Sequence, residues 1–92
     1  MDVLLDGDLM VSREALHDLL AEKLEFPSYY GRNLDALYDL LGENSRLLKI
    51  TLIHADLMIG HLGNYGYALL KTFTDAASAY PNVIFFTNPE IN

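Results

Sequence analysis

Three short apolar, β-branched runs constrain this chain most: residues 3–5, 47–53 and 83–87. Each is bounded by polar or turn-forming residues, and the segments between them carry apolar residues at helical spacing. Strands separated by helices form right-handed β-α-β crossovers and pair in parallel. The expectation is therefore an α/β domain: a small three-stranded parallel sheet packed with about four helices. The runs are nearly continuous in apolar character, and residues 83–87 are apolar on both faces, which predicts a buried sheet. At 92 residues and 51% hydrophobic, the chain reads as one domain over 1–92, with one core.

The helices announce themselves by caps and stripes. Ser12 is a suitable N-cap, with Glu14 in the favourable first turn. Ala15, Leu16, Leu19, Leu20 and Leu24 then recur on one side, while His17 falls among the polar positions, so a helix is expected over 13–25. Pro27 is expected to end it, because the residue before a proline avoids the helical region. Residues 43–46 read as a turn. A short helix is expected over 55–62, in a region interrupted by Gly60, Gly63 and Gly66, and a longer one over 67–80, closed by Pro81.

The most distinctive chemistry lies in residues 27–42. Pro27 and Gly31 punctuate a loop bearing Tyr29 and Tyr30. Asn33 can cap the following helix, and Gly42 stands where that helix would stop. Leu34, Leu37 and Leu41 form an apolar stripe. Asp35, Tyr38, Asp39 and Gly42 fall on another side. Aspartates at i and i+4 repel, and Asp is a poor residue inside a helix. A face built only for solvation would interleave Lys or Arg. This one interleaves Tyr and Gly, and an anionic, aromatic surface suits a basic partner.

Charge agrees with that sign. Thirteen acidic against six basic residues give a net charge of −7. Direct nucleic-acid binding needs a basic footprint, so none is expected. The chain has no cysteine, hence no disulfide or thiolate metal site. The N-terminus is not that of a signal peptide, and no apolar run approaches the roughly 20 residues that span a bilayer. A soluble cytoplasmic protein without membrane contact is expected. His17, His54 and His61 show neither metal-ligand spacing nor a nucleophile-base-acid pattern. Asp35 and Asp39 could serve as a paired acid and base only if a cleft held them face to face. No enzyme activity, catalytic residue, metal or cofactor is therefore expected. Tyr29, Tyr30 and Tyr38 are open to either an interface or a core role, since tyrosine suits both.

The run Pro27, Tyr29, Tyr30, Gly31, Asn33, Leu34, Asp35, Ala36 and Leu37, followed by Tyr38 and Asp39, resembles the barstar family, intracellular inhibitors of secreted barnase-type ribonucleases. The resemblance is strong over residues 27–41, and element order extends it along the chain. It implies a 1:1 plug for the active site of a basic extracellular ribonuclease. Asp39 would occupy a substrate phosphate position, and Asp35 would add charge and register. Tyr29 would lie against the enzyme's catalytic histidine, with Tyr38 and Gly42 framing the anion. Asp75 would make a second ion pair. Tyr30, Gly31 and Asn33 complete the implied partner-binding set. Tyr38 stands where the family has Trp, Asp75 where it has Glu, and Arg32 adds a positive charge. The loop after Gly42 also differs. These departures leave an alternative: a barstar-like interaction module for another basic protein or toxin, without ribonuclease inhibition.

Overall fold

The structure, a computed structural model, describes residues 1–43 and 46–89. The strands are β1 (Asp2–Asp6), β2 (Leu48–Ile53) and β3 (Val83–Asn88). The helices are α1 (Arg13–Lys23), α2 (Leu34–Glu43), α3 (Ala55–Leu62) and α4 (Asn64–Ala79), and one 3-10 turn, Gly7–Leu9, follows β1. The sheet order is β1-β2-β3 with both pairings parallel. The expected three-stranded α/β architecture is thus the one observed. The turn expected over 43–46 includes Asn44 and Ser45, which lie outside the described residues.

The expected burial of the sheet on both faces is corrected. Val3, Leu5, Leu48, Ile50, Leu52 and Val83 point into the core, whereas Leu4 and Phe86 on the other face are 58% and 51% exposed. The topology explains this. Strands added in sequence in one direction, each by a right-handed crossover, put every connecting helix on the same side. Apolar composition was a poor guide here, because one face of β3 stays wet: Ile84 and Phe86 are exposed between Val83 and the half-buried Phe85.

The helix ends follow local chemistry. The Ser12 hydroxyl accepts the Ala15 N–H at 3.0 Å. α1 stops two residues earlier than expected. Glu25 takes a left-handed conformation, φ 55°, and the N–H of Phe26 closes back on the Ala21 carbonyl at 3.0 Å. This is the closure usually built with glycine at Glu25's position, so Pro27 follows an end already made. α4 starts three residues before the expected 67, at Asn64. Gly63, at φ 59°, turns the chain between α3 and α4. Gly66 lies inside α4, where a side chain would strike Met58 and Ile59 of α3. What read as a helix breaker is a close helix–helix contact.

The core fills the space between the sheet and the helices. Phe73 of α4 stacks on Phe85 of β3 with ring centroids 4.7 Å apart. Leu37 and Leu41 bury the inner stripe of α2 as the spacing requires. His17, expected on the polar side of α1, is instead 2% exposed. Its Nδ1 lies 2.7 Å from the Tyr30 hydroxyl and its Nε2 2.8 Å from the Tyr65 hydroxyl. Periodicity could not show this, because both partners arrive from outside α1, one from the loop and one from α4. Burial, with the nearby charges of Arg32 and Arg13, holds the His17 imidazolium below its ordinary range, so the ring is neutral at pH 7.

Candidate protein-binding surface

Asn33 starts α2 as its residue type dictates. Its Oδ1 accepts the Ala36 N–H at 2.7 Å and its amide donates to the Gly31 carbonyl at 3.2 Å. These bonds fix the angle at which the tyrosine loop enters the helix. With Leu37 and Leu41 locked inward, the helix has no freedom to rotate, and Asp35 and Asp39 must face solvent. Both are exposed. Neither makes an ion pair or hydrogen bond among the described residues. Glu43 continues the row one turn on, also exposed, so Asp35, Asp39 and Glu43 form an acidic stripe at i, i+4 and i+8. The sequence reading did not include Glu43, although its spacing from Asp39 was visible.

The two tyrosines of the loop part company. Tyr29 is 75% exposed and Tyr30 only 7%. Tyr30 packs on Phe26, ring centroids 4.7 Å apart, and spends its hydroxyl on His17. Its phenol is pushed well above the ordinary range, first by burial and then by Tyr65. Tyr30, included in the partner-binding set that the resemblance implies, therefore supports the loop from beneath, and of the interface and core roles open to it burial favours the core. Tyr29 stands free above it, between two shallow depressions. One, of about 180 Å³, is walled by Asp39, Glu43, Leu40 and Gly31. The other, of about 210 Å³, is walled by Phe26, Pro27, Glu43 and Leu48.

Tyr38 is half-buried against Tyr80, the residue that ends α4, with ring centroids 5.0 Å apart. Burial, a hydrogen bond with Tyr38 and the charge of Asp39 all raise the Tyr80 phenol. Tyr80 thus joins the edge of the surface. Its ring also explains Gly42. A methyl group at position 42 would collide with that ring, and α2 runs through Gly42 to Glu43. The glycine permits a close approach inside the protein and does not stop the helix as expected. Asp75 is exposed on α4 but bound to the Lys71 ammonium at 2.8 Å. Its charge is partly neutralised, unlike those of the α2 stripe.

Arg32 forms its ion pair outside the stripe. It reaches Asp18 of α1 at 2.7 Å and the Glu14 carbonyl at 3.2 Å. Asp35 and Asp39 line different depressions: Asp35 shares a cleft with Arg13 and Arg32, and Asp39 shares one with Tyr29. The two carboxylates do not converge across one cleft, as an acid–base pair must. Among the described residues no cluster of three or more acidic or histidine side chains could hold a metal ion. Nor is any helix there long and apolar enough to cross a membrane.

Comparison with known proteins places this geometry. Residues 1–87 match the family described as Barstar (barnase inhibitor). A Bacillus subtilis (strain 168) protein named "Putative ribonuclease inhibitor YrdF" is 40% identical over 75 residues, covering 80% of this chain and 82% of that protein. The match spans the sheet, all four helices and the loop with its acidic stripe, so the chain belongs to the barstar family.

Proposed function

We propose that this chain binds a basic secreted ribonuclease one-to-one and occludes its active site, protecting the cell that makes both. The supporting observation is the α2 stripe: carboxylates held outward by a locked helix, in no ion pair with their own chain among the described residues, beside an exposed Tyr29. An unpaired carboxylate keeps its full capacity to accept charge-assisted hydrogen bonds. Asp39 takes the place of a substrate phosphate among the enzyme's cationic side chains. Asp35 sets register. Tyr29 covers the catalytic histidine, and Tyr38, backed by Tyr80, forms one wall. Asp75 contributes less, because a partner must compete with Lys71 for it. Inhibition is steric and electrostatic and needs no cofactor.

Membership of the barstar family and the name of the Bacillus subtilis relative support this reading. The test is RNA cleavage by a barnase-type ribonuclease titrated with the protein. Inhibition complete at one equivalent, and weakened at least tenfold by Asp39→Ala, supports the proposal. Undiminished cleavage at excess protein contradicts it and favours a different basic partner.

A further inference from the structure

A cleft at the Asp35 end of the acidic stripe gathers positive charge. The cleft shared by Asp35, Arg13 and Arg32 has a volume of about 320 Å³ and lies between the starts of α1, α2 and α4. The Arg13 guanidinium sits 4.1 Å from the centroid of the Tyr65 ring. The floor is His17, whose two ring nitrogens are already engaged by Tyr30 and Tyr65. His17 therefore gives the cleft its shape, and the arginines give it its chemistry.

Neither arginine is favoured by its place in the backbone. Arg13 is the first residue of α1, where a cation opposes the helix dipole. Arg32 holds a left-handed backbone, φ 55°, which non-glycine residues adopt at a cost. In a chain of six basic and thirteen acidic residues, two arginines face one cleft. Arg13 has no carboxylate partner among the described residues. Its stacking on Tyr65 fixes the guanidinium while leaving its N–H groups to a ligand. Arg32 uses a single terminal nitrogen for both Asp18 and the Glu14 carbonyl, so the rest of its fork is still available to donate. The side chain is pre-positioned, which lowers the entropy lost on binding.

Asp35 decides what kind of anion enters. It stands on the rim, so the cleft presents positive charge next to negative charge over a few residues. A phosphate dianion would meet the Asp35 carboxylate as well as the arginines. A singly charged carboxylate with a cation beside it satisfies both signs. We infer that the Arg13–Arg32 cleft receives an Asp or Glu side chain of the partner protein, whose neighbouring Lys or Arg pairs with Asp35.

This rests on the reading of α2 as a partner-binding surface and extends it. The interface is then not uniformly anionic. A basic protein without a correctly placed carboxylate would leave two arginines facing its own cations, and like charges across an interface select against the wrong partner.

The test needs no ribonuclease, so it separates this cleft from the inhibition proposal. The full chain is titrated at constant ionic strength with acetyl-Glu-Lys-amide, acetyl-Gln-Lys-amide and inorganic phosphate. NMR follows the Nε–Hε signals of Arg13 and Arg32 and the ring of Tyr65. The Glu peptide is expected to shift all three saturably and to bind about tenfold or more tightly than the Gln peptide, the ratio for one charge-assisted hydrogen bond. Arg13→Gln, at an exposed position, should abolish that preference while thermal unfolding stays near wild type. Asp35→Asn should weaken the Glu peptide and strengthen phosphate. Equal response to both peptides, phosphate binding more tightly than the Glu peptide to the wild type, or a preference that survives Arg13→Gln would each overturn the assignment.

Discussion

Tyr30→Phe separates support from contact in the tyrosine loop. The ring survives the change, so packing on Phe26 and the burial of apolar area are unaltered. Only the hydroxyl leaves, and it lies 2.7 Å from Nδ1 of a histidine that is 2% exposed. Water cannot replace it without opening the core. A buried polar atom left without its partner costs about 1–3 kcal/mol. For a domain of this size each kcal/mol lowers Tm by about 4–8 °C, so a central loss of about 2 kcal/mol corresponds to roughly 8–16 °C. Thermal and urea unfolding should show that loss, with the folded variant keeping most of its partner affinity. Tyr29→Ala should do the reverse: stability within about 0.5 kcal/mol of wild type, as expected for an exposed position, and a clear loss of affinity. If Tyr30→Phe unfolds like wild type, or loses affinity as Tyr29→Ala does, the division of roles between the two tyrosines is wrong.

Other outcomes follow from the same contacts. Asp39→Ala should gain about 0.5–1 kcal/mol of stability in chemical unfolding, because it removes an i, i+4 repulsion and a poor helix former; a loss of that size would mean that Asp39 has a structural partner. His17 is held below its ordinary value of 6.5, chiefly by burial and then by Arg32 and Arg13 against the smaller opposing pull of Asp18. The unfolded chain therefore takes up this proton first as pH falls, so stability is complete above about 6.5 and declines below it towards the lowered folded value. His54, raised by its hydrogen bond to Asp6, contributes with the opposite sign, fading as pH rises through its folded value. Comparing unfolding of wild type and His17→Gln from pH 5 to 8 isolates the first effect, and identical pH profiles would refute it. Gly42→Ala should not bring the roughly 1 kcal/mol that helical Gly→Ala changes give, because the Tyr80 ring must move; a full gain with unshifted Tyr80 NMR signals would contradict the packing.

Much of the fold was legible because it rests on local signals. The Ser12 and Asn33 caps, the Leu37 and Leu41 stripe and the order of strands and helices all stand as the residues indicate. The surface was legible where exposure follows from helix periodicity, at Asp35 and Asp39. What was not legible depends on residues far apart in the chain. Tyr30 and Tyr29 are neighbours of the same type, and it is packing on Phe26 and the arrival of His17 that make one of them core. Gly42 looked like a helix stop until Tyr80, from the end of α4, was seen against it. The open face of the sheet follows from the handedness of two crossovers, which no apolar count along β3 could reveal.

The central claim is that the α2 face occupies a ribonuclease active site. Competition tests it most directly: association of the protein with a barnase-type ribonuclease, measured with and without a saturating guanosine monophosphate in the enzyme's active site. The account predicts that the nucleotide raises the apparent Kd by a factor of one plus the ratio of its concentration to its own Kd, and that Asp39→Ala weakens binding and blunts this sensitivity. Binding of wild type that is indifferent to the nucleotide would place the contact elsewhere on the enzyme and contradict the account.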